Sequence, residues 1–307
     1  HQITSLIRTP RMSDTFSPNQ HFKMVDFADP ESLNEALLGA DAVIHIAASL
    51  SMTSTSKELE ETNVALTQRM LVASRSASVK RFIYISAASV VMAEFEGMIG
   101  VGEQSIYVEK KEMGYSVTTA RAESLVLQAN SPSLSTLALR PPFIWGPDDS
   151  VDREIGPSVN KGKFCWISGG RYPYSTVHVR NLAHAISMAV DSDATGAVFI
   201  TDQEDVQFRT FFSERFKVGG FKAPKLSIPR EMAKPLSFLV AGAWRVFCIP
   251  GEPPISPELV RLIGYPFQLD NARAINELGY FPPVSIRQGM SELRSLNRAK
   301  SKLKYIC

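Results

Sequence analysis

Apolar residues in the first half of the chain come in short continuous runs, separated by segments with helical spacing. Ile3-Thr-Ser-Leu-Ile7 and Phe22-Lys-Met-Val25 read as strands. Ala42-Val-Ile-His-Ile-Ala47, Arg81-Phe-Ile-Tyr-Ile85 and Ser135-Thr-Leu-Ala-Leu139 read as strands buried on both faces. Residues 30–38, 62–73 and 115–127 read as helices between them. Asp29 stands at the N-cap of the first, and Pro30 at its first position, where a missing N–H costs little. Buried strands alternating with helices predict an α/β fold, a Rossmann-like doubly wound parallel sheet covered on both faces.

After Pro141 the pattern loosens, and Pro and Gly become frequent. Gly196-Ala-Val-Phe-Ile200 reads as one more sheet strand. Residues 208–216, 230–247, 257–263, 271–278 and 286–296 read as helices. This predicts a smaller, mostly helical lobe over the carboxyl ends of the strands, where open α/β sheets bind ligands. The expected boundaries are 1–143 for the sheet domain, with 176–200 returning to it, and 144–175 plus 201–297 for the second lobe. Residues 298–307 form a basic tail, expected to be solvated and mobile. The longest apolar run, Leu236-Ser-Phe-Leu-Val-Ala-Gly-Ala-Trp-Arg-Val-Phe-Cys-Ile249, is too short to span a bilayer and contains Arg245. It reads as a core helix. The alternative is an interfacial helix in peripheral contact with a membrane, admitting an apolar substrate.

Composition narrows this little. A length of 307 residues suits one large domain or two coupled ones. A net charge of +2 gives no reason to expect a nucleic-acid partner. Cys165, Cys248 and Cys307 lie far apart in no metal spacing, so a reduced, cytoplasmic setting and no metal are expected. No signal peptide is visible at the start, and a terminal Cys307 cannot be prenylated as a CaaX box.

A dinucleotide site wants a strand, a glycine-rich turn and a helix whose N-terminus meets the pyrophosphate. The only glycine cluster, Gly97-Met-Ile-Gly-Val-Gly102, has the wrong spacing and reads as a flexible loop. The chain opens directly into a strand, so the first βα unit is expected to be missing from this sequence. Otherwise no dinucleotide binds.

The segments nevertheless resemble the extended short-chain dehydrogenase/reductase superfamily, of the NAD-dependent epimerase/dehydratase type, and most nearly its bacterial 3β-hydroxysteroid dehydrogenase-like branch. The likeness rests on Val25-Asp-Phe-Ala-Asp-Pro-Glu-Ser-Leu33, Gly39-Ala-Asp-Ala-Val-Ile-His-Ile-Ala-Ala48, Asn63-Val64 and Val79-Lys-Arg-Phe-Ile-Tyr-Ile-Ser86. It continues through Leu139-Arg-Pro-Pro-Phe-Ile-Trp-Gly-Pro147, Trp166-Ile-Ser-Gly-Gly-Arg171, Thr176-Val-His-Val-Arg-Asn181 and Leu278-Gly-Tyr-Phe-Pro-Pro283. Their order and spacing carry it more than any one piece.

The resemblance implies that residues 1–143 are the dinucleotide-binding domain and that the second lobe holds the substrate. Arg8 falls where a guanidinium can pair with a 2′-phosphate, favouring NADP(H) over NAD(H); otherwise it is a surface arginine. Asp26 and Phe27 lie beside the adenine, Ala47 and Ala48 where backbone approaches the cofactor, and Pro141, Pro142 and Phe143 in the nicotinamide pocket. Asn63 caps a helix or orders the strand ends. The resemblance also implies a homodimer through the helices beside the tyrosine.

The reaction it implies moves a hydride between nicotinamide and a ketone or secondary alcohol, with a tyrosine handling the proton. A free phenol has a pKa of about 10, so a tyrosine base needs a cation close by. Tyr115 in Tyr115-Ser-Val-Thr-Thr119-Ala-Arg-Ala-Glu123 takes the tyrosine position, but Thr119 stands where a lysine is usual. Ala87 stands where a serine is usual, leaving Ser86 and Ser89 as candidates for the hydroxyl that bonds the substrate oxygen. A literal YxxxK, Tyr107-Val-Glu-Lys-Lys111, falls too soon after the strand, although Lys110 or Lys111 could fold over the site. His178 reads either as a substrate contact or as a contact between lobes.

The reading is an NAD(P)-dependent dehydrogenase or reductase with an atypical site. Phe208, Phe211, Phe212, Phe216, Met232, Leu236, Phe238 and Leu239 point to a small apolar substrate, sterol-like or 3-oxo-acyl-like. One alternative is a catalytically impaired NAD(P)H-binding or regulatory protein. An epimerase or dehydratase fits less well, since nothing supplies its extra acid–base pair.

Overall fold

The computed structural model of the protein describes residues 1–9, 20–46, 56–92, 95–109, 114–249 and 253–304, and side chains as far as 299. Strands β1 (Ile3–Ile7) and β2 (Gln20–Met24) pair in parallel. Helix α1 (Pro30–Leu37) follows, its first turn held by Asp29, whose carboxylate accepts from the backbone N–H groups of Glu31 and Ser32. Strands β3 (Ala42–His45), β4 (Arg81–Ile85), β6 (Ser135–Arg140) and β11 (Gly196–Phe199) form a parallel sheet in the order β11-β6-β4-β3. Between β3 and β4 run α2 (Ser56–Leu59), a π-helical stretch (Glu60–Ala65) and α3 (Leu66–Ser76). Helix α4 (Gly114–Gln128) precedes β6, and α6 (Val179–Val190) precedes β11.

Every residue of β4 is buried, and its side chains alternate between two cores. Phe82 and Tyr84 pack with Leu66 and Met70 of α3 and with Ala122 and Val126 of α4. Ile83 and Ile85 pack with Leu182, Ala185 and Ala189 of α6. Each such large apolar side chain contributes on the order of 1.5–3 kcal/mol by leaving water. The sheet is covered on both faces, which explains why its strands read as continuous apolar runs.

The remaining elements gather around an aromatic core. Strand β5 (Met98–Val101) enters a second sheet with β9 (Pro173–Tyr174), β12 (Val206–Gln207) and β14 (Phe267–Leu269), in the order β12-β9-β14-β5. Strand β7 (Phe143–Trp145) pairs with β10 (Thr176–His178), and β8 (Trp166–Ile167) with β13 (Ser227–Ile228). Phe208, Phe211, Phe212 and Phe216 of α7 (Phe208–Val218) pack on Trp145, Trp166, Tyr172 and Tyr174. Around them lie α5 (Gly156–Asn160), α9 (Pro257–Ile263) and α11 (Ile286–Lys304). Helix α8 (Arg230–Val246) packs through Ala233 on Ile167 and Val260. Helix α10 (Ala272–Leu278) returns to the parallel sheet, where Ala274 and Leu278 pack with Ile83 and Leu182.

Three expectations fail. The glycine cluster is a strand rather than a loop: Met98 pairs with Phe267 and Val101 with Leu269, with an irregularity between them. Gly100 there adopts φ +66°, a conformation glycine reaches without strain. The expected core helix over the apolar run is α8, and it is core only on its small side. Ala233 and Ser237 are buried, whereas Leu239 is 72 % and Val246 75 % exposed. The basic tail is not a loose end as far as Lys304, because α11 runs through it. Residues 297–304 contain no glycine or proline to stop a helix. Among the described residues no helix is long and apolar enough to cross a membrane.

Candidate active site

Tyr115 and Thr119 stand on the first turns of α4, one turn apart, on one face. Tyr115 is half-buried and Thr119 is buried. Burial pushes the Tyr115 phenol up to about 12; the Thr119 hydroxyl opposes this, and the Glu258 carboxylate adds to it. Thr119 sits close enough to influence the phenol, yet its Oγ1 makes no bond of hydrogen-bond geometry among the described residues. Tyr115 therefore holds its proton through neutral pH and is equipped to donate it.

The end of β4 supplies hydroxyls. Ser86 donates its backbone N–H to Leu139 at 2.8 Å, and Ala88 to Pro141 at 2.8 Å, so pairing with β6 outlasts the strand. Ala87 keeps extended backbone and then opens a 3₁₀ turn, Ala88–Val91. Alternation puts Ser86 on the face of Tyr84, toward α4, and Ala87 on the other. The Ser86 Oγ and the Tyr84 hydroxyl are buried without a partner among the described residues. Burial, and then the nearby Tyr115 and Glu123, raise the Tyr84 phenol far above its usual range. Ser89 lies in the 3₁₀ turn, and its Oγ accepts from Ser116 Oγ at 3.1 Å.

Sequence reasoning missed Ser116, Glu258 and Arg261. Glu258 and Arg261 are one turn apart on α9, whose N-cap Ser256 accepts from the Leu259 N–H. Glu258 Oε1 accepts from Ser116 Oγ at 2.9 Å and from the Ser116 backbone N–H at 3.2 Å. A carboxylate from another element thus caps α4 at its positive end. Arg261 donates to Ser116 Oγ at 2.8 Å, to the Ser89 carbonyl at 3.3 Å and to the Met92 carbonyl. Burial raises the Glu258 carboxyl, against its bonds from Ser116 and the charge of Arg261. Burial lowers Arg261 to about 10, against Glu258 and Tyr174, so it stays charged at neutral pH. The i,i+3 spacing on a short capped helix was readable; its destination was not.

Tyr107 of the literal YxxxK is committed elsewhere. Its hydroxyl donates to Glu123 Oε1 at 2.6 Å, and Glu123 is paired with the buried Arg140, also at 2.6 Å. Burial and the Glu123 charge raise its phenol well above the usual range, against Arg140. Lys110 and Lys111 lie outside the described residues, as do Ala47 and Ala48.

The residues expected around the cofactor fall into two groups. Arg8, Met24, Asp26, Phe27, Glu61 and Arg69 line an open pocket of about 730 Å³. The Arg8 guanidinium lies 5.6 Å over the Phe27 ring, and Arg69 bonds the Phe27 carbonyl at 3.0 Å. At the other group, buried Asn63 in the π-helical stretch donates to Thr118 Oγ1 at 3.0 Å, joining it to α4. Pro141 is buried and Phe143 packs on Phe212, 4.9 Å between centroids. His178 belongs to neither. Its ring lies edge-on to Trp145, and its Nδ1 accepts from the Arg180 N–H at 3.3 Å, capping α6.

These features suit a nicotinamide dinucleotide. The pocket offers a cation and an aromatic face for an adenosine phosphate, and the buried Thr119 and Ser86 hydroxyls, which have no partner among the described residues, can donate to such a ligand.

Known proteins point the same way. The chain is 34 % identical over 271 residues to a 4-hydroxy-2-methyl-3-oxo-4-farnesyl-3,4-dihydroquinoline-1-oxide ketoreductase of Stigmatella aurantiaca, covering 88 % of this chain and 81 % of that one. It is 31 % identical over 280 residues to a decarboxylating sterol-4-alpha-carboxylate 3-dehydrogenase of Dictyostelium discoideum, covering 88 % and 85 %. A UDP-glucuronic acid 4-epimerase of Bacillus cereus, solved in complex with NAD, shares the fold at a TM-score of 0.65 and 17 % identity, over 89 % of this chain and 79 % of that one. Residues 4–230 match the 3-beta hydroxysteroid dehydrogenase/isomerase family, and the chain belongs to that family.

Proposed function

We propose that the protein is an NAD(P)-dependent reductase of a ketone on an apolar, sterol-like or 3-oxo-acyl-like substrate, with Tyr115 as the proton donor. The observation that carries this is a phenol held protonated at the start of α4, beside buried hydroxyls that have no partner among the described residues. Arg8, Asp26 and Phe27 would hold the adenosine end, with Arg8 favouring NADP(H) because it makes no ion pair among the described residues. Thr119, Pro141 and Phe143 would hold the nicotinamide end. A bound reduced nicotinamide supplies the hydride. Tyr115 gives its proton to the developing alkoxide, and Ser86 or Ser89 donates a hydrogen bond to the same oxygen. The apolar substrate is supported by the names of the two relatives and by α8. Its exposed Met232, Leu236, Leu239 and Val246 form one outward stripe, suited to peripheral contact with a membrane.

The test is NADPH and NADH binding by fluorescence, followed by turnover of a panel of steroid ketones and 3-oxo esters. Tyr115→Phe should lose on the order of 100-fold or more in kcat with cofactor affinity kept. Arg8→Ala should weaken NADPH about tenfold more than NADH. A parent that binds neither nucleotide refutes the reading. A second reading, an impaired NAD(P)H-binding protein, is favoured by the neutral Thr119 in the cation position. It prevails if the parent binds NADPH and reduces nothing while Thr119→Lys does.

A further inference from the structure

The hydroxyl and helix end that would carry out proton transfer are held by residues from near the other end of the chain. Helix α9 is fixed at both ends: Ser256 caps its start, and Tyr172 and Tyr174 donate their hydroxyls to its last carbonyls, those of Ile263 and Leu262. From this fixed helix Glu258 and Arg261 reach into the first turn of α4 and the turn after β4. Both are buried, and their groups lie 3.9 Å apart.

The contacts are ordered. Ser116 Oγ accepts from Arg261 and has one proton to give, for which Glu258 at 2.9 Å and Ser89 at 3.1 Å compete. While the carboxylate takes that proton, any bond between Ser116 and Ser89 must use the Ser89 proton instead. The charge on Glu258 therefore governs which way the Ser89 hydroxyl points. The same carboxylate accepts the N–H of Ser116, the residue next to Tyr115, and so fixes the first turn of α4 from which the phenol projects. Arg261 holds the Ser89 and Met92 carbonyls, fixing the turn on which Ser89 stands.

We propose that Glu258 and Arg261 are positioning residues for proton transfer, setting the geometry of Tyr115 and the orientation of Ser89 from the C-terminal part of the chain. The proposal rests on the reading of Tyr115 as proton donor. A purely structural pair would affect stability alone. A positioning pair also moves the turnover number and its pH dependence, because Glu258 faces the phenol. The charged and titratable groups that face Tyr115 and its cluster are Glu258 from α9, Arg261 beside Glu258, and Tyr84 from β4, which itself faces Glu123 of α4.

The experiment compares Glu258→Gln, Arg261→Lys and Ser116→Ala with the parent, in the full chain, using NADPH and a ketone the parent reduces. Glu258→Gln should lower kcat about tenfold, with the KM for NADPH within twofold, and shift the alkaline rise of alcohol oxidation toward lower pH. Arg261→Lys keeps the charge but loses the forked contacts, and should lower kcat severalfold. Ser116→Ala leaves Glu258 and Arg261 facing each other, so it tests these contacts if either charge variant fails to fold; kcat should fall severalfold in a protein that is still folded at the assay temperature. Parental kcat in Ser116→Ala, or a lower kcat in Glu258→Gln with an unshifted pH profile, overturns the proposal. A parent inactive with every ketone refutes the functional reading and this proposal together. A parent whose rate depends on Tyr115 but not on Glu258, Arg261 or Ser116 refutes this proposal alone.

Discussion

Tyr115 should make the protein a far better reductase than dehydrogenase at neutral pH, and the size of the asymmetry follows from its surroundings. Reduction needs the protonated phenol. With the phenol pushed up to about 12, that form exceeds 99 % at every pH below about 10, so reduction should show no alkaline loss from this group there. Oxidation needs the phenolate, about one molecule in 10⁴ at pH 8, and should rise about tenfold per pH unit without a plateau. Thr119→Lys puts a cation one turn away, where an opposite charge lowers such a pKa by about 1–3 units. Oxidation at pH 8 should then rise by about 10- to 1000-fold, while reduction changes little. Thr119 is only 1 % exposed, so the added ammonium also loses hydration, which places the gain toward the low end. The assay is initial rates in both directions from pH 6 to about 10, with Tyr115→Phe as the blank. An oxidation plateau at or below about pH 9 in the parent refutes the reasoning, since it requires about 4 kcal/mol of phenolate stabilisation that no described residue supplies.

Two further outcomes are expected. Arg140→Met leaves the buried Glu123 without its 2.6 Å partner and should cost about 3–5 kcal/mol in urea unfolding, while Arg140→Met with Glu123→Leu should recover most of the loss; equal losses in the single and double variants would show that the pair is not coupled. His45, held down to about 4 by burial, stays neutral in the folded chain, while the unfolded chain takes up a proton below about 6.5. Stability should therefore fall by up to about 3 kcal/mol as pH drops from about 6.5 to 4, and His45→Gln should flatten that slope; an equal slope in both proteins would place the titrating group elsewhere.

The sheet was legible because its strands are covered on both faces, so that Arg81-Phe-Ile-Tyr-Ile85 could be read from composition alone. The α4 helix and its Tyr115–Thr119 pairing were legible from spacing. What was not legible depends on partners distant in the chain. The strand at Met98–Val101 has no pattern of its own and exists through β14. Helix α8 has the composition of a core helix, but its packing face is built from Ala233 and Ser237 while its large residues face outward. Periodicity finds such a stripe without saying which side is covered. Glu258 and Arg261 look like ordinary helix charges until α9 is placed against Ser116. The candidates for the missing cation, Lys110 and Lys111, fall outside the described residues, and the alternative tyrosine, Tyr107, is tied to Glu123.

The weaving of β5 against β14 bears on how the molecule is made. Synthesis delivers Tyr115, Ser86 and Ser89 long before Phe267, Glu258 and Arg261. Until those residues leave the ribosome, β5 has no strand to pair with, and the first turn of α4 lacks the carboxylate on its Ser116 N–H. A nascent chain can therefore pack the Phe82 and Tyr84 side of β4 on α3 and α4 early while its chemistry stays unassembled, since contacts so far apart in sequence form late. The protein is thus expected to become competent only once α9 and β14 have left the ribosome, and a ribosome stalled before residue 257 would hold β4 packed on α3 and α4 without a working site.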